Sequence, residues 1–305
     1  MIEATPTPRR SLLARIFISP DERRLRAGWR LLLQTLLVVF LFVIAGIAVY
    51  APATLLGLSR ESLMLAQLTE FLAFTGSIWI ARRFLDRRSF VSLGLNFGRQ
   101  AVIDLLAGIA IAFVMMGAIY LAMVALGWSK FESFAWQSES GVSVLLGALS
   151  IFGLFIVVGW NEELLFRGYY LQTIASGLNL TWGVILSSVL FGLAHAGNPG
   201  ASWISMATAG ILFAGLFLAY GYVRTRQLWL SIGLHIGWNF FEGPGFGFPV
   251  SGLDVYRIVH QRVQGPELWT GGVFGPEAGL IVLPALALGA VLIYLYSKLP
   301  RSAAE

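Results

Sequence analysis

Eight apolar stretches, each near the length of a bilayer-crossing helix, alternate with short polar connections along this 305-residue chain. They cover residues 29–50, 62–81, 101–126, 141–160, 180–198, 202–222, 227–243 and 278–297. An apolar helix of about 20 residues spans the hydrocarbon core of a membrane. The pattern therefore predicts an all-α polytopic membrane protein, with about eight transmembrane helices in one bundle. After residue 160 the fourth stretch meets no breaker except Gly168, so its helix is expected to continue to the turn signal Ser176-Gly177-Leu178-Asn179. The seventh stretch is short and ends in Gly243-Pro244-Gly245. Residues 244–277, rich in Gly and Pro, read as a long outer loop.

The pattern divides the chain into a basic N-terminal segment, 1–28, and a transmembrane bundle, 29–298. Residues 1–10 are expected to be disordered. Residues 11–27 suit a basic amphipathic helix on the inner leaflet. A signal peptide is not expected, because the first apolar run is longer than the roughly 7–15 residues of a signal core.

Charge orients the bundle. With the N-terminus in the cytoplasm, 17 of the 21 Lys and Arg fall on the cytoplasmic side, leaving Arg60, Lys130, Arg257 and Arg262 outside. Cytoplasmic loops carry the excess of Lys and Arg in membrane proteins. The even span count then gives an N-in, C-in topology and a plasma-membrane protein, expected in a bacterial inner membrane.

Composition sharpens the class. The chain is 57% hydrophobic and 12% charged, with mean hydropathy +0.76. An ordinary soluble domain has about 25% charged residues. The net charge of +5 follows from the inner loops and forms no groove-lining patch, so the partner is a lipid bilayer and no nucleic acid is expected. Cysteine is absent, which excludes disulfides, thiolate metal sites and a Cys nucleophile. His195, His235 and His260 are the only histidines. His260 falls in the outer loop and is given no role.

Against this apolar background stand Glu162-Glu163-x-x-x-Arg167, Phe191-x-x-x-His195 and His235-x-x-x-Asn239. A charge inside a span costs roughly 2.5–3.5 kcal/mol on the mild insertion scale, and such residues usually mark function. If helices four and five fold back at the turn near 178, Glu162 and His195 sit level, each roughly 24 Å from it. His235 and Asn239, four apart, share one helix face. Glu163 and Arg167 are spaced for an i, i+4 ion pair, which leaves Glu162 available.

This set suits peptide hydrolysis. A buried Glu can act as base on a water, a His can share that water or give a proton, and an Asn can donate to the oxyanion. Glu162, His195 and His235 could alternatively hold a divalent metal such as Zn, with a position open for water. Other intramembrane chemistries lack their residues: there is no His-Glu-x-x-His, no Gly-x-Ser-x-Gly, and only Asp104 near a span. Glu70 reads as a supporting or helix-packing acid, Asp104 as a first-turn or interfacial acid, and Glu242 as a residue of the outer mouth.

The three motifs in this order, with Gly168 and Tyr169 after Arg167, resemble the CPBP family over about residues 141–245. That family takes in type II CAAX prenyl endopeptidases and bacteriocin-processing and immunity proteins. The resemblance implies a membrane-embedded metalloendopeptidase or metal-free glutamate peptidase acting on a membrane-associated peptide or protein. It implies Glu162 as the water-activating residue, with His195, His235 and Asn239 completing a site that opens towards the cytoplasm. Glu163 and Arg167 belong to the same catalytic group. A non-catalytic immunity or scaffold protein is the alternative. A proton-coupled transporter would suit intramembrane Glu and His, but no inverted repeat accompanies them.

Overall fold

In a bilayer the backbone finds no water, so long apolar runs close their hydrogen bonds internally as helices. The computed structural model describes residues 11–20, 22, 24–59 and 62–301. The stretch 1–10, expected to be disordered, lies outside the described residues. Helix α1 spans Leu12–Phe17, α2 Ala27–Leu55, α3 Leu63–Asp86 and α4 Arg99–Ala125. Strand β1 covers Ser129–Phe134. Helix α5 is a 37-residue rod, Gly141–Gly177, followed by α6, Leu180–Ala194, α7, Met206–Thr225, and α8, Trp229–Phe240. Strand β2, Val259–Val263, the short α9, Glu267–Thr270, and α10, Val282–Tyr296, complete the order.

Each apolar stretch contains one helix. By length and composition α2, α3, α4, α5 and α7 can cross a membrane unaided. The other three, α6, α8 and α10, are 15, 12 and 15 residues long. Of these, α8 is enclosed by protein on nearly every side.

The predicted continuation of the fourth helix is present. Residues Leu164–Tyr170 take a π-helical turn inside α5, which rotates the residues that follow relative to those before. Asn179 then caps α6 by accepting from Trp182 N at 3.0 Å. The expected ends at 198 and 202 shift to 194 and 206. Turns at His195–Asn198 break α6, and Ser205 caps α7 by accepting from Thr208 N. Among the described residues before α2, the basic segment is helical over Leu12–Phe17 and stops short of Pro20, which lacks a donor and restrains Ser19. The chain then folds back, with Ile18 paired to Leu25.

Two features depart from an all-helical bundle with one outer loop. Strands β1 and β2 form an antiparallel ribbon, with Ser129 opposite Val263 and a bulge between Phe131 and Ser133. Residues 244–277 are folded onto the helices: Val250 and Val255 pack against Ile151, Leu154 and Phe155 of α5. Glycine-rich sequence supplied the tight turns but hid these apolar anchors.

At the opposite end, charged residues clamp the helices. Asp86 pairs with Arg30 and with Arg82, the latter at 3.0 Å. Asp104 is fully buried, pairs with Arg301 and accepts from Tyr296. Thus Asp104 is a structural acid joining α4 to the C-terminal end of α10.

Helix α8 is seated by glycine. A Cβ on Gly233 would lie 2.1 Å from Leu105 O, and one on Gly108 would lie 2.4 Å from Leu230 O. So α4 and α8 touch backbone to backbone. On α7, Gly210 allows a similar backbone approach, since a Cβ there would meet Glu277 O at 1.8 Å.

Candidate active site

The hairpin of α5 and α6 brings Glu162 and His195 together, as the spacing about the turn requires. Glu162 Oε2 lies 3.6 Å from His195 Nε2 and 3.7 Å from His235 Nε2. His235 reaches this level from α8.

Glu163 faces away from Glu162 into the protein. Its Oε1 accepts from Arg167 Nη1 at 2.8 Å and from His235 Nδ1 at 2.9 Å. Glu163 and Arg167 are 0% and 1% exposed, so the charges neutralise each other away from solvent. Arg167 Nη2 also donates to Gly215 O at 3.0 Å, and its guanidinium lies 4.2 Å from the centre of the Phe191 ring. Phe191 in turn lies against both histidines, at ring-centre distances of 4.8 and 6.1 Å. The spacing read as an ion pair is an ion pair, and it also holds the histidines.

The hydrogen bonds assign the tautomers. His195 Nδ1 is 2.9 Å from Phe191 O, and a carbonyl can only accept, so Nδ1 carries the hydrogen. Glu163, as a carboxylate, likewise accepts from His235 Nδ1. In the neutral imidazoles both Nε2 atoms therefore present lone pairs towards Glu162.

Those three atoms are a candidate donor set for a divalent ion. Each histidine has its other ring nitrogen held by a backbone carbonyl or carboxylate, as metal-ligating histidines do. Glu162 Oε2 is buried without a hydrogen-bond partner. The separations of 3.6 and 3.7 Å approach the edge of about 3.3 Å between tetrahedral zinc ligands. Among the described residues, no three His, Asp or Glu close on a metal position as the side chains stand. The chemistry fits an ion, and small side-chain movements would be needed to enclose it.

A cavity of about 370 Å³ reaches Glu162, His195, His235 and Asn239. Residues 144–241 match the Rce1-like family model, type II CAAX prenyl endopeptidase. The match agrees with the resemblance carried by the three motifs, and all seven residues they name lie inside the Rce1-like segment. No solved structure matches the chain.

Several residues of the cavity lie outside the Rce1-like segment. Glu70 of α3 lines it, as do Ser251 and Glu277 from the folded-in connection. Glu277 is 5% exposed, and sequence reasoning left it among the outer-loop acids. The one available signal was its position directly before the last apolar stretch. Glu242, expected at an outer mouth, is instead fully buried next to Gly275. The π-helical turn Phe241–Gly245 carries it inward.

Proposed function

We propose that this chain is an intramembrane endopeptidase that hydrolyses a peptide bond of a membrane-associated protein or peptide. The convergence of Glu162 Oε2 with two imidazole Nε2 atoms inside an apolar bundle carries this reading. The Rce1-like match over residues 144–241 supports it.

Glu162 acts as the base. It takes one proton from water as the water oxygen attacks the scissile carbonyl carbon. The second water hydrogen is held by an imidazole Nε2, which orients the nucleophile. The side-chain amide of Asn239, on the cavity wall, donates to the oxyanion. When the tetrahedral intermediate collapses, the C–N bond breaks and Glu162 returns its proton to the leaving amine. The Glu163–Arg167 pair keeps His235 in the productive tautomer. A divalent ion, when bound by Glu162, His195 and His235, would supply Lewis-acid polarisation of the water and the carbonyl.

The termini are assigned to the cytoplasm. Charge bias supports this, and the Arg30, Arg82 and Arg301 clamps lie at the end of the bundle where α2 begins and the chain leaves α10.

The test is peptide-terminus mapping of membranes from cells carrying wild type or Glu162→Gln at equal abundance. Termini made only by wild type establish proteolysis and name its substrates. Identical maps, under conditions where the gene has a phenotype, return the chain to the immunity or scaffold reading.

A further inference from the structure

One carboxyl group of the cavity stands apart from the three motifs. Glu70 of α3 lines the same space as Glu162, His235 and Asn239, and it lies outside the Rce1-like segment, residues 144–241. Contacts between α3 and α5 set its level. Asn161 Nδ2 donates to Gln67 O at 3.0 Å and to Gln67 Oε1 at 3.1 Å. Trp160 Nε1 donates to Thr75 Oγ1 at 3.0 Å. The two residues directly before Glu162 thus lie across from the stretch 67–75 of α3, and Glu70 falls within it. The two carboxyl groups are near enough to feel each other electrostatically.

Glu70 is also held in place. Gln67, one turn before it, hydrogen-bonds the Glu70 carboxyl through its side-chain amide, while the amide oxygen of Gln67 accepts from Asn161. Asn161 is fully buried. The row Asn161, Gln67, Glu70 therefore fixes the second carboxyl relative to the first. Helix α5 packs against both α3 and α8, so Glu70 and Asn239 enter the cavity from different walls. A peptide group is complementary to this arrangement. It is planar and trans, so its C=O and N–H point in opposite directions. With the carbonyl oxygen turned to Asn239 on α8, the N–H of the same peptide group turns to the wall formed by α3. A carboxyl oxygen accepts from that N–H whether the group is ionised or neutral.

We propose that Glu70 is a catalytic residue that accepts the hydrogen bond of the scissile amide N–H, opposite the oxyanion donor Asn239. The two contacts hold the peptide plane across Glu162. The leaving nitrogen then stays within reach of the proton that Glu162 returns. Because the contact is to the backbone, it is independent of the side chains that flank the cut and of how near the cut lies to a chain end. This inference rests on the proteolysis reading above and adds a substrate-binding residue to the same site.

The test uses full-length protein reconstituted in liposomes and a membrane-inserted peptide spanning a cut found by the terminus mapping. The peptide is made twice, as the natural amide and as a depsipeptide whose ester oxygen replaces the scissile N–H. On the amide, Glu70→Leu should lower kcat/KM about 10–100-fold. Glu70→Gln keeps an acceptor oxygen and should stay within about threefold of wild type. On the ester, which has no N–H to give, wild type and Glu70→Leu should agree within about threefold. Gln67→Leu releases the carboxyl without removing it and should also lose rate on the amide alone; it decides the matter if Glu70→Leu folds poorly. An unimpaired Glu70→Leu enzyme, or equal losses on amide and ester, overturns the inference and leaves proteolysis standing. Failure of wild type to cut either peptide overturns both.

Discussion

Glu163 Oε1 accepts from His235 Nδ1 and Arg167 Nη1 at once, at 2.9 and 2.8 Å. One carboxylate thus neutralises a buried guanidinium and fixes an imidazole aimed at Glu162. Glu163→Gln should lower the cleavage rate about 10–100-fold, the usual effect of losing such a support. Glu163→Ala should also destabilise the protein by about 3–5 kcal/mol, because Arg167 stays buried and unpaired. Rates and thermal unfolding in one detergent separate the two effects. An unimpaired Glu163→Gln enzyme would remove the orienting role.

Glu162 carries no such structural duty, since Oε2 has no hydrogen-bond partner. Glu162→Gln is therefore expected to fold normally while losing at least about 10³-fold in rate. His195→Ala should also be inactive. Where purified wild type carries a divalent ion by elemental analysis, His195→Ala should reduce its occupancy. Unchanged occupancy would place the ion elsewhere.

Asp86 is an anchor remote from the chemistry. It pairs with Arg30 and Arg82, and Arg30 also donates to Ser176 at 2.6 Å. Asp86→Ala leaves Arg30 and Arg82 without their carboxylate and takes one carboxylate partner from a third buried cation, Arg24. A loss of about 3–5 kcal/mol is expected, read as a lower Tm, while activity per folded molecule is retained. A large loss of rate with Tm unchanged would connect this clamp to catalysis and contradict its purely structural role.

Gly233 fixes α8 against Leu105 of α4. Gly233→Ala must push the helices apart, at about 1–3 kcal/mol for overpacking. It also displaces His235, two residues on, and a shift near 1 Å can cost about 10²-fold in rate. Gly28→Ala is the control, since a Cβ there meets nothing within 4 Å. Equal behaviour of the two variants in activity and Tm would show that α8 has slack.

Local pattern made much of this legible. Among the described residues each apolar run holds a helix, five of them long and apolar enough to cross a membrane, because a bilayer forces internal hydrogen bonding. Counting residues about the turn near 178 set Glu162 level with His195. The i, i+4 rule identified the Glu163–Arg167 pair. What stayed hidden depends on contacts distant in sequence: His235 bonded to Glu163, Val250 packed on α5, and Glu277 brought under Trp238. Gly and Pro in 244–277 read as loop because turn residues report local flexibility, while the burial that fixes them is set by partners far along the chain.

The cavity is built from two kinds of material. Glu162, His195, His235 and Asn239 are borne on helices or at a helix end, locked by ion pairs and backbone contact. Val250, Ser251, Leu253 and Glu277 belong to the connection that closes over them. Chemistry and selectivity are therefore separable during divergence: replacing that connection can retarget the enzyme without redesigning its reaction centre. For protein engineering, residues 246–277 are the region to randomise, and α8 is the region to leave untouched.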